Sequence, residues 1–310
     1  MFTSVLPAAA DQLTESSSIE LAGWIQRQAI TTPLMESPIA TAYVCRGHQE
    51  TPILLLHGFD SSVFEFRRLL PLLAQRQRTW AVDLLGFGFT ERPDGMAFDP
   101  TAIKTHLYSF WQALIGQPVI LVGTSMGGAA AIDLALTYPD CVEKLVLVDS
   151  AGFAAAPVFS KIMMPPLDAW ATAFLRNPGV RRRISEQAYC DRSLVTADAE
   201  LCAALHLQLP GWQRALISFA KSGGYDFLTD KIARIQQPTL ILWGEDDRIL
   251  KKKDANKFKR AIASSRLIWI PNCGHVPHLE QPQIAAQYIL DFEMSSRSKG
   301  VRGKIKYHGF

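Results

Sequence analysis

The chain has 310 residues, 48% of them hydrophobic, and a formal net charge of +3. That apolar supply suits one large core with an inserted subdomain better than two equal domains. The near-balanced charge argues against a dedicated nucleic-acid binder. Five cysteines (Cys45, Cys141, Cys190, Cys202, Cys273) are odd in number and form no C-x-x-C pair. Neither a zinc ribbon nor a disulfide framework is expected, and a reducing compartment is the simpler reading.

The N-terminal stretch MFTSVLPAAADQL lacks the basic n-region of a signal peptide. No window approaches the ~18 uncharged apolar residues of a membrane span. The expectation is a cytoplasmic protein without stable membrane insertion. SSSIELAGWIQRQ reads as a short amphipathic helix, with Ser17 and Glu20 spaced as a capping box.

Short apolar runs then follow at 41–45, 52–58, 79–84, 118–123, 144–150, 238–244 and 266–271. Most are apolar throughout rather than alternating, as central strands of a parallel sheet are. Helical segments are expected at about 61–75, 100–115, 126–138, 251–263 and 281–293. The alternation predicts a doubly wound α/β fold with right-handed crossovers. Between Asp149 and Lys231 no strand-like run occurs. An interval of that length is not a bare loop in a compact domain. It reads as a helical insertion over the carboxyl edge of the sheet. The predicted organisation is a core domain over 1–149 and 231–294, a helical cap over 150–230, and a basic tail over 295–310. The tail carries five Lys or Arg and no acid, and reads as solvated.

In open α/β sheets, ligands bind beyond the carboxyl ends of the strands. Ser125 follows the 118–123 run inside G-T-S-M-G, Asp247 follows the 238–244 run in GEDDRIL, and His275 follows the 266–271 run in NCGHVPH. A nucleophile, an acid and a base are thus predicted at one end of one sheet. A serine hydroxyl is a poor nucleophile until a base takes its proton. An imidazole accepts and returns a proton near neutral pH, and a carboxylate orients it and stabilises its cation.

These features resemble the α/β-hydrolase superfamily in its serine-nucleophile, cap-bearing, esterase- and lipase-like form. G-T-S-M-G matches the family's G-x-S-x-G nucleophile elbow in a strand–turn–helix context, and the order Ser, Asp, His matches its triad. HGF at 57–59 is similar to the family's His-Gly oxyanion loop. DLLGFGFT at 83–90 is similar to its D-x-x-G-x-G-x-S segment, with Thr90 in place of Ser. The resemblance implies a mostly parallel, eight-stranded-type sheet with the cap inserted after strand 6. It implies Ser125, Asp247 and His275 as catalytic residues, and the backbone N–H groups of Phe59 and Met126 as oxyanion donors. The family's G-x-x-D spacing from Gly244 selects Asp247 over Asp246, although Lys251 replaces the proline often found four residues later. Asp149 is an alternative acid used by some members. The GH-x-P pattern favours His275 over His278 as the base, and His57 reads as an anchor of its own loop. Cys273 reads as a small buried hydrophobe. Lys251–Lys253 and Arg181–Arg183 read as solvated faces.

Ser at position 125 argues against the carboxylate-nucleophile epoxide hydrolases and haloalkane dehalogenases of the family. Val276 stands where its C–C bond hydrolases often carry Trp. The reading is a serine hydrolase of a small-to-medium apolar carboxylic ester, needing no cofactor and no metal, as a monomer or homodimer. The alternatives are a hydrolase-like ligand receptor, a C–C bond hydrolase, and an acyltransferase or perhydrolase. Met163, Met164 and Trp170, in the apolar part of the insertion, are candidates for the substrate wall.

Overall fold

The computed structural model of the protein describes residues 5–49, 51–153 and 167–294. Eight strands form one sheet: β1 (Gln26–Thr32), β2 (Met35–Arg46), β3 (Ile53–Leu56), β4 (Thr79–Val82), β5 (Val119–Thr124), β6 (Val142–Val148), β7 (Thr239–Gly244) and β8 (Ser265–Ile270). Their order is β1-β2-β4-β3-β5-β6-β7-β8. β2 is antiparallel to both β1 and β4, and the remaining pairs are parallel. This is the mostly parallel α/β sheet that the strand–helix alternation predicts.

Every residue of β3, β5 and β7 is buried, which explains their unbroken apolar sequences. Side chains alternate across a strand, so one run feeds two cores. Leu54, Leu56 and Leu121 join Ile103, Phe110 and Ile132 on one face. Ile53, Leu55, Ile120 and Val122 join Leu70, Leu73 and Ile289 on the other. Each such side chain contributes roughly 1.5–3 kcal/mol by leaving water.

The covering helices are α1 (Ser16–Trp24), α2 (Leu70–Ala74), α3 (Pro100–Leu114) and α4 (Met126–Thr137). Next come α5 (Leu167–Arg176), α6 (Pro178–Ala188), α7 (Ala197–Ala204) and α8 (Trp212–Lys221). The chain closes with α9 (Lys252–Ala261), α10 (Pro277–Glu280) and α11 (Pro282–Met294). Among the described residues, four helices, α5–α8, lie in the chain between β6 and β7. The single helix expected over 61–75 is instead a 3-10 turn at Val63–Phe66 followed by α2.

Two expectations change at the N-terminus. The helix ends at Trp24, and the following QRQAITT is the edge strand β1. The capping box does not form: Glu15 is the N-cap and makes no side-chain capping bond. The cap is tertiary instead. Asp198 Oδ1 accepts the N–H groups of Thr14 (2.6 Å) and Glu15 (2.9 Å), and Ser18 Oγ donates to Oδ2 at 2.5 Å. A carboxylate at a helix N-terminus also opposes the helix dipole. Among the described residues, no helix is long and apolar enough to cross a membrane. The tail 295–310 lies outside the described residues.

Candidate active site

The turn between β5 and α4 is built by what its glycines leave out. A Cβ on Gly123 would meet Gly127 O at 2.3 Å, one on Gly127 would meet Leu56 O at 2.1 Å, and one on Gly128 would meet Ser150 Oγ at 2.1 Å. Only hydrogen atoms let α4 approach β3 and β5 so closely. Ser125 occupies the apex at φ 50°, ψ −118°, a backbone region costly for a residue with a Cβ. Strand β5 and helix α4 fix both sides of that turn, so the hydroxyl is held at the carboxyl edge of the sheet.

His275 and Asp247 converge on it from two further strand ends. His275 Nε2 lies 3.0 Å from Ser125 Oγ, and Nδ1 lies 3.0 Å from Asp247 Oδ2. Asp247 Oδ1 accepts the N–H groups of Ile249 (2.7 Å) and Leu250 (3.0 Å). Burial raises the Asp247 pKa, but the hydrogen bond and charge of His275, with those two N–H groups, outweigh it and leave the carboxyl below its ordinary value. The His275 loop docks on the segment between β6 and β7. Its N–H donates to Ala188 O at 2.6 Å, and a Cβ on Gly274 would meet the same carbonyl at 2.2 Å.

The alternative acids make other bonds than one to His275. Asp149, at φ 41°, uses Oδ1 to accept the Gly244 N–H at 3.0 Å. Among the described residues its buried Oδ2 has no hydrogen-bond partner, and burial together with the nearby Asp247 charge pushes its pKa well up. Asp246 is anchored through its N–H to Cys273 O at 2.8 Å. Asp149, Asp247 and His275 offer donor atoms within 4.8 Å of one another, a set of the kind a cation uses; here Asp247 and His275 bond each other and Asp149 takes the Gly244 N–H.

The loop after β3 carries the second candidate oxyanion donor. His57 is fully buried; the Leu84 N–H donates to its Nε2 at 3.1 Å, so Nδ1 holds the proton and donates to Gly58 O at 2.8 Å. Burial pulls its pKa down to about 4. It anchors a loop, as the sequence reading has it. The Gly58 N–H donates to Glu65 Oε2 at 2.9 Å, and the Thr124 hydroxyl donates to Glu65 Oε1. Glu65 thus ties the Phe59 loop to the residue before Ser125. Burial would raise its pKa, but His278, His57 and Thr124 hold it at about 2. Among the described residues, the N–H groups of Phe59 and Met126 have no hydrogen-bond acceptor. Met126 begins α4, so its N–H belongs to the positive end of that helix.

The DLLGFGFT segment buttresses this loop. Asp83 accepts the Val63 and Phe89 N–H groups at 2.6 and 2.7 Å. Thr90, in place of Ser, donates to Asp83 O at 2.8 Å. Gly88, at φ 53°, leaves no room for a Cβ, which would sit 2.1 Å from the Asp83 carboxyl carbon.

A cavity of about 320 Å³ opens beside Ser125 and His275, with walls that include Phe59, Leu175, Ile184, Ala188, Tyr189 and Val276. Trp170 is not in that wall and is 77% exposed. Met163 and Met164 lie outside the described residues. Arg181, read from the sequence as part of a solvated face, instead pairs with Asp60 at 2.6 Å. Arg182 remains on the surface, paired with Glu186 and Glu200. Sequence reasoning missed Asp60, Glu65 and Ala188. Asp60 and Glu65 follow HGF within the same loop, so a search for acids flanking an oxyanion loop finds them.

Residues 53–287 match the sequence profile of the Alpha/beta hydrolase family. The chain is 34% identical over 247 residues to the alpha/beta hydrolase domain-containing protein VTE7 of Arabidopsis thaliana, covering 79% of this chain and 74% of that one. It is 31% identical over 250 residues to the 2-hydroxy-6-oxo-2,4-heptadienoate hydrolase of Pseudomonas putida, covering 78% and 88%. Its fold is similar to that of a thermophilic esterase from Thermogutta terrifontis, with a TM-score of 0.74, 26% identity, and 87% and 98% of the two chains covered. The sheet order, the glycine-walled elbow and these similarities lead to one conclusion: the chain belongs to the α/β-hydrolase family.

Proposed function

We propose that the protein is a serine hydrolase that cleaves the carboxylic ester of a small-to-medium apolar molecule through an acyl-enzyme on Ser125. The observation that carries this reading is the continuous chain from Ser125 Oγ through His275 to Asp247, two links of 3.0 Å each. His275 takes the Ser125 proton as Oγ adds to the ester carbonyl, and returns it to the departing alcohol. Negative charge forms on the carbonyl oxygen in the addition itself, before the alcohol departs. The unpaired N–H groups of Met126 and Phe59 meet it, a contribution worth ~10²–10³ in rate per donor in related chemistry. Water, deprotonated by His275, resolves the acyl-enzyme along the same path.

The helices between β6 and β7 act in this reading as a cap. They supply Leu175, Ile184 and Ala188 to the cavity wall, and they keep water from the oxyanion. The natural setting is the cytoplasm, and the partner is a small molecule rather than a nucleic acid.

A second reading, hydrolysis of a C–C bond, is favoured by the 31% identical relative whose name describes a 2-hydroxy-6-oxo-dienoate substrate. Val276 beside the base speaks for the ester. Steady-state turnover of a p-nitrophenyl ester series, against a dienoate substrate, separates the two. Ser125→Ala should lower ester turnover at least ~10³-fold with the fold intact. Near-normal turnover by that variant would overturn the proposal.

A further inference from the structure

Asp60 follows Phe59 in the loop after β3 and stands at φ 50°, a conformation that Asp and Asn tolerate better than other residues with a Cβ. Its side chain is only 8% exposed. A buried carboxylate one residue from an oxyanion donor is electrostatically adverse, because it repels the charge that develops there. Three elements from the segment between β6 and β7 converge on it. Arg181 of α6 donates from Nη1 to Oδ2 at 2.6 Å, and Trp212 of α8 donates from Nε1 to Oδ1 at 2.8 Å. His206 Nε2 lies 3.1 Å from Oδ1. A carboxylate only accepts, so His206 presents its proton at Nε2. Burial opposes ionisation of Asp60, but His206, Arg181 and Trp212 hold its pKa at about 2.

The grip is rigid at both ends. Arg181 Nη2 also donates to Ala203 O at 2.7 Å. The Phe59 ring packs on Phe219, again from α8, at 5.9 Å. Glu65 holds the Gly58 N–H. The loop that carries the Phe59 N–H is therefore tied to Glu65 through Gly58 and to α6 and α8 through Asp60 and the Phe59 ring. We propose that Asp60 is a positioning residue: locked by Arg181, His206 and Trp212, it fixes the Phe59 N–H over Ser125, while Arg181 cancels the carboxylate's repulsion of the oxyanion. This rests on the reading of Phe59 as an oxyanion donor.

The consequence is an ordered set of variants. Asp60→Asn keeps the left-handed backbone and the shape, and should lower kcat about 10-fold with KM changed less than about 2-fold, as expected of a small donor misplacement. Arg181→Met removes the cation that neutralises the buried Asp60 carboxylate, leaving it only the His206 and Trp212 bonds, and should cost about 100-fold in kcat. The double variant should return to the Asp60→Asn level, because the repelling charge is gone. Arg181→Lys keeps the charge without the fork and should fall between.

The deciding readout is the affinity of an arylboronic acid, whose tetrahedral adduct on Ser125 places an oxyanion at the two N–H groups. That affinity should fall in step with kcat across the variants. Asp60 and Arg181 also line the cavity, so binding of intact ester to the same variants in a Ser125→Ala background is the control, and it should fall far less than boronate affinity does. If melting temperature drops while kcat and boronate affinity stay at the wild-type level, Asp60 is only a structural tie and the proposal is overturned. If the double variant is no better than Arg181→Met, the electrostatic half is overturned. If wild-type protein neither hydrolyses esters nor binds the boronate, the ester-hydrolase reading fails, and this inference with it.

Discussion

Asp149 and Asp247 end neighbouring strands, yet only Asp247 bonds His275, through a 3.0 Å contact to Nδ1. Asp149 faces the Gly244 N–H instead. Burial and the Asp247 charge push the Asp149 pKa up, and the one N–H that its Oδ1 accepts is a bond an amide oxygen accepts equally well. Asp247→Asn should therefore lose ~10³–10⁴-fold in kcat by analogy with triad acids. Asp149→Asn should lose less than about 10-fold. Steady-state ester kinetics on both variants checks this, and a larger loss at Asp149 would move the acid to β6.

The elbow glycines make a stability prediction. Gly127→Ala drives a Cβ to 2.1 Å from Leu56 O, a backbone atom that cannot swing aside. The cost should be at least ~3 kcal/mol, at the upper end for overpacking. Gly95→Ala meets nothing within 4 Å but needs φ 75°, so it should cost only ~1–2 kcal/mol. Urea unfolding of the two variants compares them directly.

Much of this arrangement is legible in the sequence, for a physical reason. β3, β5 and β7 are buried on both faces, so they read as continuous apolar runs. The elbow shows as glycines at fixed offsets from Ser125. The edge strand β1 does not show: QRQAITT is exposed at most positions and has no apolar period to detect. Asp60 and Arg181 are equally hidden, because their pairing spans 121 positions in the chain and is made by the packing of α6 onto the β3 loop. The Ser17–Glu20 spacing misleads because Asp198, remote in sequence, caps α1 in its place.

Cavity lining brings in Ile184 as a residue that tests substrate length and leaves Trp170 outside the wall. If the ester enters the cavity beside Ser125, kcat/KM should rise with acyl length over a short series, by up to ~0.8 kcal/mol per buried CH₂. Ile184→Asp, in the wall, should raise KM for the longer esters. Trp170→Asp, outside it and mostly exposed, should leave the profile unchanged. The reverse outcome would relocate the acyl site.

Acid sensitivity should follow from buried histidines away from the catalytic chain. His106 is fully buried beside Thr41 Oγ1 (2.7 Å), and burial pulls its pKa down to about 4. The unfolded chain binds a proton near pH 6.5, whereas the folded one resists it until about 4. Stability contributed by neutral His106 is therefore lost as pH falls through this window, by up to roughly 3 kcal/mol at pH 4. His106→Gln should unfold with a shallower pH dependence between 6.5 and 4.5 than the wild type. Equal slopes in urea titrations at these pH values would contradict the assignment.

The central claim is that Ser125 carries the acyl group, and covalent trapping tests it most directly. Incubation with one equivalent of an aryl phosphonate, followed by peptide mass spectrometry, should give a single adduct per chain, on the peptide containing Ser125. Ester turnover should disappear in proportion to that adduct, and its formation should slow sharply in His275→Asn, which lacks the base. Turnover that persists in fully modified protein, or complete inactivation with Ser125 unmodified, would contradict the account.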